Sequence, residues 1–440
     1  MNFSFRIAIA CLVGLALSFT WVAFAPSDTA RLILAAFQVA MVSIVIWQAC
    51  DPFADAAQFF GERWRIPGSV RGATLDAIAS SLPELFTGLF FVILALGMGR
   101  DANDDVIAHS GDGFGATIAT CAGSAVYNMI LIPAFCGIAI AKTRLKKPVI
   151  EIERSVITRD GFWFLACEIV LVGFLFQKQL SWHLAAILLA MYGGYLIWLA
   201  LDARRYRVAR AAVVEQLGGE QELSDDQIAG ALRAAGISTS PSLVENVRRE
   251  LKSDEENENE ESPSAGVFFG WFDLALTAPK GYVILFISTL VTAVACYALV
   301  EITLNIAVVL DVPVFFVAVI VAAAASSVPD TFLSIAAAKR GDDDGAVSNA
   351  FGSNIFDICV CLSIPLLVGV YFNGGEPIDL TVGGEPMIGL FGLQVLLLSL
   401  TGVTLVVLWH QRRLTLNKAY FLVALYFVFI GYAVFGSLSN

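Results

Sequence analysis

Two short stretches of the sequence nearly repeat each other, and they decide the fold. Residues 79–84 read ASSLPE, and residues 325–330 read ASSVPD. A second pair follows in the same order, GSAVYN at residues 123–128 and GSNIFD at residues 352–357. Chance similarity between apolar helices would produce shared alanines and valines, but hardly these polar motifs in matching order. The pattern therefore indicates an internal repeat.

The composition is typical of a polytopic membrane protein. The 440 residues are 58% hydrophobic and 15% charged, with a mean hydropathy of +0.75, whereas a soluble domain carries about 25% charged residues. The net charge of -12 argues against a nucleic-acid-binding surface. The eight cysteines contain no CxxC pair and lie in or beside apolar stretches, which predicts free thiols.

Apolar stretches of about 20 residues predict the membrane-spanning helices. The candidates lie near residues 5–25, 30–50, 70–98, 115–141, 160–176, 182–201, 281–309, 313–338, 345–372, 386–409 and 417–436. The first has Arg6 before its apolar run and Ala23-Phe24-Ala25 at its end, so both a cleaved signal peptide and an extra helix stay open. The others predict an all-α membrane protein with ten core transmembrane helices.

Basic residues set the predicted orientation, because they concentrate on the cytoplasmic side. A ten-helix threading places four basic groups on one side: residues 63–71, 142–159, 339–340 and 412–418. The connecting segment 203–279 opens with four arginines and is therefore expected to be cytoplasmic. Within it, residues 224–227 match a helix capping box, and the acidic run 254–261 is too charged to fold. A solvated linker is favoured there over a regulatory calcium site, because EF-hand spacing is missing.

The copies of the repeat are expected to have opposite topology, because the segment between the two motifs is extracellular in the first copy and cytoplasmic in the second. Secondary transporters use such inverted repeats around a site at the membrane midplane. The predicted organisation is a signal peptide or extra helix (1–26), a first five-helix half (27–202) with α-repeat 1 (about 66–133), the loop 203–279, and a second half (280–440) with α-repeat 2 (about 312–365).

Two carboxyl side chains, Glu84 and Asp330, lie mid-helix in the predicted hydrocarbon region. An ionised carboxylate at that depth is costly and is usually partnered and functional. The sequence provides no lysine or arginine at the predicted bilayer depth of either repeat. A bound ion or a proton must therefore supply the counter-charge.

The neighbouring residues offer oxygen ligands in the same pattern in both copies. They are Ser80, Ser81, Ser124 and Asn128 in the first repeat and Ser326, Ser327, Ser353 and Asp357 in the second. Pro83 and Pro329 free main-chain oxygens near residues 77–79 and 323–325. Such a set selects calcium, magnesium or sodium over zinc or copper. Taken alone, each of these residues has an ordinary structural explanation: a serine can bond back to its own helix, a proline can kink it, and a glycine can allow close helix packing. The recurrence of all of them around two acids favours a cation-binding site.

Charge arithmetic predicts what such a site does. Glu84, Asp330 and Asp357 together carry a formal charge of -3, which three sodium ions neutralise. One calcium ion leaves -1, to be met by a proton or a monovalent cation. A single site that several monovalent ions or one divalent ion fill in alternation acts as an antiporter.

These motifs resemble the sodium/calcium exchanger family, the calcium/cation antiporters, and most of all its potassium-dependent branch. The resemblance covers the ten-helix core and excludes segment 203–279. It implies that Glu84 and Asp330 are the central calcium ligands, and that the eight other motif residues, with the carbonyls of Ala77 and Ala323, line the sodium positions. It also links Asp357 to potassium dependence, although family members with an aspartate there do not all need potassium.

Several residues depart from the family pattern. Thr120 stands where the second repeat has Asn349, which leaves ion selectivity open. Asp76 is an extra acid before Glu84, and an ion pathway is slightly favoured over snorkelling to the interface. Asp55 and Glu301 occupy matching positions and fit either ion-access or interfacial roles, and Glu168 has no assigned role.

Two other functions remain as alternatives. The first is a proton-driven antiporter for calcium or another divalent cation, in which a carboxylate takes up the proton after calcium leaves. The second and more remote is an intramembrane aspartyl protease with Glu84 and Asp330 as its acid pair. We expect no enzyme activity, no cofactor beyond the transported ions, and no protein or nucleic-acid partner. We expect an integral protein of a cell membrane or bacterial inner membrane.

Overall fold

The computed structural model is mostly helical. It describes residues 13–19, 27–97, 110–217, 223–251, 264–267, 272–382 and 385–438, with short gaps at 65, 67, 145–147, 153, 238, 240–242, 245–246, 249–250 and 387–389. The predicted cleavage site at 23–25, most of the acidic segment 100–114 and the acidic run 254–261 lie outside the described residues.

Six α-helices and one π-helical turn begin in the described part of the first half, and a seventh helix lies in the connecting segment. They are α1 (Asp28–Arg63), α2 (Gly68–Arg71), the π-turn Gly72–Asp76, α3 (Ala77–Ala95), α4 (Ser110–Thr143), α5 (Arg154–Leu175), α6 (Trp182–Leu217) and α7 (Asp225–Ala234). The second half contains α8 (Ala278–Leu310), α9 (Val314–Val317), the π-turn Ala318–Ala322, α10 (Ala323–Ser326), α11 (Val328–Lys339), α12 (Asp343–Phe356), the π-turn Asp357–Cys361, α13 (Ser363–Phe372), α14 (Leu390–Trp409) and α15 (Leu416–Leu438).

Short antiparallel strand pairs connect the helix ends. The strands are β1 (Ile150–Glu151), β2 (Gln179–Leu180), β3 (Ser264–Val267), β4 (Phe272–Ala275), β5 (Ile378–Asp379), β6 (Thr381–Val382), β7 (Glu385–Pro386) and β8 (Arg413–Leu414). β1 pairs with β8 and β2 with β5, which ties the two halves together, whereas β3–β4 and β6–β7 are local hairpins.

Among the described residues, eight helical segments are long and apolar enough to cross a membrane. Two further helices complete the predicted core: α5, which carries the buried polar residues Arg159, Asp160 and Glu168, and α14, whose apolar part is Val395–Trp409. Five core crossings thus precede the connecting segment and five follow it. This arrangement is consistent with two inverted five-helix repeats.

The two repeats carry π-helical turns at corresponding positions, Gly72–Asp76 and Ala318–Ala322. The first turn leads directly into α3, which bears Glu84. The second leads into the short helix α10, which is followed by Ser327 and then by α11 with Asp330. A π-helical turn rotates the side chains beyond it relative to a regular α-helix, and such turns are frequent at functional sites. The sequence motifs gave no indication of these turns.

Two glycines let the repeats cross in a reciprocal manner. A β-carbon added to Gly123 would lie 2.2 Å from the carbonyl oxygen of Val319, and one added to Gly352 would lie 2.7 Å from the α-carbon of Ala73. Val319 and Ala73 are in the two corresponding π-turns. The second motif of each repeat therefore packs on the π-turn that precedes the first motif of the other repeat, as expected for a pseudo-twofold arrangement.

Basic groups predicted to share one side do lie at one end of the molecule. Arg144 donates to Asp343 at 2.9 Å and to the carbonyl oxygen of Ala338 at 2.6 Å. At the paired strands β1 and β8, Arg413 lies 3.1 Å from Glu151. These contacts agree with a one-sided arrangement of these basic groups, and the assignment of that side to the cytoplasm stays a prediction.

The connecting segment is more helical at its start than a loop. Helix α6 continues to Leu217, and its 36 residues span about 54 Å, much more than the roughly 30 Å of a hydrocarbon core. The extension persists because Tyr206, Ala209 and Val213 pack against Ile228 and other apolar residues of a small separate core. The predicted capping box is present, with Ser224 and Gln227 satisfying each other's backbone amides.

Candidate cation-binding site

The polar motif residues of both repeats come together in the centre of the helical core. Glu84 lies on α3, Asp330 on α11 and Asp357 at the start of the third π-turn, and each is 0% exposed. The six motif serines and Asn128 are also fully buried. The structure thus collects all the side chains that the sequence singled out as oxygen ligands into one buried region.

Ser124 lies between two of the three carboxyl groups. Its hydroxyl oxygen is 3.1 Å from Oε1 of Glu84 and 3.0 Å from Oδ2 of Asp357. Ser327 reaches the same Glu84 oxygen at 3.3 Å and Ser124 at 2.9 Å, and Asn128 donates to Ser124 at 3.3 Å. A hydroxyl group has one hydrogen, so Ser124 satisfies one carboxylate at a time.

Asp330 has a corresponding set of contacts on the other side of the pseudo-twofold. Ser353 donates to its Oδ1 at 2.5 Å, and Asn349 approaches the same oxygen at 3.5 Å. The hydroxyl groups of Ser353 and Ser80 are 3.2 Å apart. Both acids are therefore contacted by serines of the following motif in their own repeat, and each cluster includes a serine from the other repeat.

Several buried oxygen atoms in this region have no hydrogen-bond partner. They are Oγ of Ser81, Oε2 of Glu84, Oδ1 of Asn128, Oδ2 of Asp330 and Oδ1 of Asn349. A buried polar atom without a partner costs about 1–3 kcal/mol, and more when it is charged. Because these atoms converge on two acids, the arrangement fits a dehydrated cation that oxygen ligands would hold.

Among the described residues, no lysine or arginine forms an ion pair with Glu84, Asp330 or Asp357. The ion pairs that the structure shows involve other acids. The described residues also include no compact group of three histidine, cysteine, aspartate or glutamate side chains. The carboxyl groups are thus interleaved with hydroxyl and amide groups. Such a mixed oxygen set suits sodium or calcium better than a transition metal.

The two prolines act differently on the backbone. Helix α3 continues through Pro83, whereas the corresponding helix of the second repeat breaks at Ser327, between α10 and α11. The candidate main-chain ligands, the carbonyls of Ala77 and Ala323, accept hydrogen bonds from Ser80 and Ser326 at 3.2 Å each. Ser326 therefore bonds back to its own helix, and the break turns Ser327 toward Glu84.

The departure at Thr120 is visible as a difference between the repeats. The Thr120 hydroxyl donates to the carbonyl oxygen of Ala116 in its own helix at 2.9 Å. Asn349, its counterpart, donates to Ser334 at 3.0 Å and approaches Asp330. Asn349 and Ser334 were not predicted as site residues, although each lies four residues from a motif residue, Ser353 and Asp330 respectively.

The other unassigned acids have different surroundings. Asp76 lies at the end of the first π-turn, where Arg71 donates to its Oδ2 at 3.4 Å, and its carbonyl oxygen accepts from Ser80 at 2.9 Å. Glu168 accepts from Thr401 at 3.0 Å between α5 and α14. Asp55 and Glu301 are half-buried.

The described cysteines are free thiols, as the sequence predicts. Seven of the eight cysteines are free and buried there, and Cys11 lies outside the described part. Cys361 also touches the site, since its sulfur lies 3.5 Å from the carbonyl oxygen of Ser81 and 3.7 Å from Oδ1 of Asp357, and its single hydrogen can be donated to either one.

Comparison with protein families gives one match that covers most of the chain. The model described as "Sodium/calcium exchanger protein" matches residues 34–201 and 280–435. The unmatched segment between these ranges is close to the predicted connecting segment.

Curated relatives extend the similarity along the chain. Sodium/potassium/calcium exchanger 5 of Homo sapiens is 25% identical over 382 residues, covering 76% of this chain and 70% of the relative. Sodium/potassium/calcium exchanger 4 of Mus musculus is 23% identical, covering 88% and 78%.

Solved structures share the fold. An H+/Ca2+ exchanger, CAX, aligns with a TM-score of 0.58 at 11% identity, covering 99% of this chain and 91% of that chain. The sodium-calcium exchanger NCX_Mj aligns with a TM-score of 0.51 at 18% identity, covering 91% and 98%. At these identities, the likeness concerns the fold alone.

Proposed function

Because the chain belongs to the sodium/calcium exchanger protein family, we propose that it exchanges sodium for calcium across a membrane through one shared site around Glu84 and Asp330. The chain is an integral, multi-pass membrane protein and an antiporter, not an enzyme, which removes the aspartyl protease alternative. The transported ions are its substrates, and no cofactor is needed for this activity.

The observation that carries the proposed site is the convergence of unpartnered buried oxygens on two acids from opposite repeats. Glu84 and Asp330 are the proposed calcium ligands, with Asn128 and Asp357 beside them. The serines at 80, 81, 124, 326, 327 and 353 and the carbonyls of Ala77 and Ala323 complete the proposed sodium positions. We call these oxygen ligands around Glu84 and Asp330 the cage. Removing a cation from it without replacement leaves unpaired buried charge, so binding of either calcium or sodium stabilises the cage.

Exchange follows from the mutual exclusion of the two loads. Three sodium ions balance the formal charge of Glu84, Asp330 and Asp357, whereas one calcium ion leaves one negative charge. A potassium ion carried with calcium balances that remaining charge, and several curated relatives are named as sodium/potassium/calcium exchangers. The inverted repeats would alternately open the site to each side, with Asp76 on the pathway at the basic end.

The proposed orientation places that basic end and segment 203–279 in the cytoplasm. The proposed domain division is the first half at 27–202 and the second half at 280–440. A bacterial inner membrane or another cell membrane is the proposed location.

The test is calcium-45 uptake into proteoliposomes that hold the full chain. An outward sodium gradient should drive uptake, and Glu84→Gln or Asp330→Asn should reduce it to the protein-free background, since each removes a charged ligand. Glu168→Gln is the matched control, because Glu168 is also a buried membrane carboxyl group but bonds to Thr401 away from the site. This control should retain sodium-driven uptake.

Two results would contradict the proposal. Uptake that follows a pH gradient and ignores sodium would favour the proton-driven alternative. Undiminished sodium-driven uptake in both Glu84→Gln and Asp330→Asn would remove these residues from the site.

A further inference from the structure

An apolar groove lies between helices α5 and α14, away from the cation site. Its volume is about 330 Å³, and it is lined by Ile157, Phe162, Leu165, Leu405, Val406 and Trp409. Gly161 keeps the two helices close, because a β-carbon there would lie 2.9 Å from Cδ2 of Leu405. Thr158 also lines the groove, but its hydroxyl bonds to the carbonyl oxygen of Arg154 in its own helix at 2.8 Å.

The groove opens on the surface that faces the lipid. Phe162 is 61% exposed and Val406 is 68% exposed, although both belong to core helices of a membrane protein. Acyl chains are therefore the apolar material in contact with these side chains. A groove in such a surface receives a chain segment more readily than a flat helix face does.

The mouth of the groove is positively charged. The guanidinium group of Arg154 stacks over the ring of Trp409, 5.6 Å from its centroid. Exposed Arg412 and Arg413 follow at the end of α14, and Glu151 opposes them by pairing with Arg413 at 3.1 Å. Among the described residues, these three arginines outnumber Glu151, and the nearby Asp343 is already paired with Arg144 at 2.9 Å. The described part of this mouth therefore carries an excess of positive charge.

The apolar groove lies at the depth of phospholipid acyl chains, and its basic mouth lies at the depth of the headgroups. Trp409 is the last residue of α14, and Arg154 is the first residue of α5. Aromatic and basic residues are typical of helix ends at a membrane interface. Arginine binds phosphate through two parallel hydrogen bonds. Basic pockets between transmembrane helices on this side bind anionic headgroups.

We propose that this groove is a binding site for an anionic phospholipid. One acyl chain lies along the groove between α5 and α14, and the headgroup phosphate contacts Arg154 where it stacks on Trp409. Arg412 and Arg413 add attraction for the negative headgroup. The proposal is independent of which ions the protein exchanges.

Native mass spectrometry of the full-length chain in detergent tests the site, with phosphatidylglycerol and phosphatidylcholine as probes. The unaltered chain should retain phosphatidylglycerol in preference to phosphatidylcholine. Arg154→Gln should reduce this retention about tenfold, because it removes the charge-assisted phosphate contact. Val406→Trp, at an exposed position, should reduce it by filling the groove.

The matched control is Lys142→Gln, which removes an exposed positive charge outside the groove, at the predicted cytoplasmic end of α4. It should leave retention unchanged. Equal retention of the two lipids would overturn the proposal, as would undiminished phosphatidylglycerol retention in Arg154→Gln or an equal loss in Lys142→Gln.

Discussion

At the scale of single residues, equivalent positions of the repeats have become different. Ser326 bonds back to its own helix, while the next residue, Ser327, contacts both Glu84 and Ser124. In the first repeat, Ser80 also bonds back to its own helix, but its hydroxyl group additionally contacts Ser353 of the other half. The cage is thus built from non-identical halves. Several ions bound in it would therefore have different sets of ligands.

In the proposed mechanism, the charge of Asp357 decides whether a monovalent ion accompanies calcium. If potassium balances the charge left by calcium, potassium should stimulate sodium-driven calcium uptake, and Asp357→Asn should reduce that stimulation by about tenfold or more, as loss of a charged ligand weakens ion binding. Uptake assays with and without potassium measure this, with Glu168→Gln as the control that keeps the response. An unaltered potassium response in Asp357→Asn would exclude Asp357 from this role.

At the scale of helices, the two glycine contacts hold the motifs together. Gly352 lies against the backbone of Ala73, and Gly123 against that of Val319, so neither neighbour can move away as a flexible side chain could. The carboxyl groups approach each other because the helices cross this closely. Packing of small residues is also how helices associate without a hydrophobic driving force in lipid.

Gly352→Ala should therefore destabilise the protein by about 1–3 kcal/mol, the usual cost of overpacking, and should lower calcium uptake with it. The control is Gly402→Ala in α14, where nothing lies within 4 Å of the added methyl group and alanine favours the helix over glycine. Thermal unfolding in detergent should show a lower midpoint for Gly352→Ala than for the parent protein. The midpoint of Gly402→Ala should not be lowered. Equal midpoints for both variants and the parent would contradict the reciprocal packing.

The sequence predicted which residues meet in the site but not how they bond. Polar motifs around two acids predicted that these residues share one buried region, because unpaired carboxylates in lipid require partners. That this region binds cations stays a prediction. Asn349 and Ser334 were missed because a single asparagine or serine in a helix has no periodic signal. The π-turns, the break at Ser327 and the pairing of β1 with β8 depend on contacts between distant segments, and the extension of α6 depends on packing against α7.

At the scale of the whole molecule, two distinct polar regions serve different parts of the environment. The buried cage at the centre lacks a basic residue among the described side chains, whereas basic residues gather at one end around the strands β1 and β8. In our proposals, the first arrangement binds cations, and the second lies at the cytoplasmic end and contacts anionic lipid. The described apolar residues of segment 203–279 pack with the end of α6 and with α1 and α8.

The central claim is that calcium and sodium compete for one cage that both repeats build. Equilibrium binding of calcium-45 to the purified full-length chain measures this most directly. We expect one calcium ion per chain, cooperative displacement by sodium, and loss of binding in Glu84→Gln and Asp330→Asn. Calcium binding that sodium leaves unchanged, or that persists in both variants, would contradict the account.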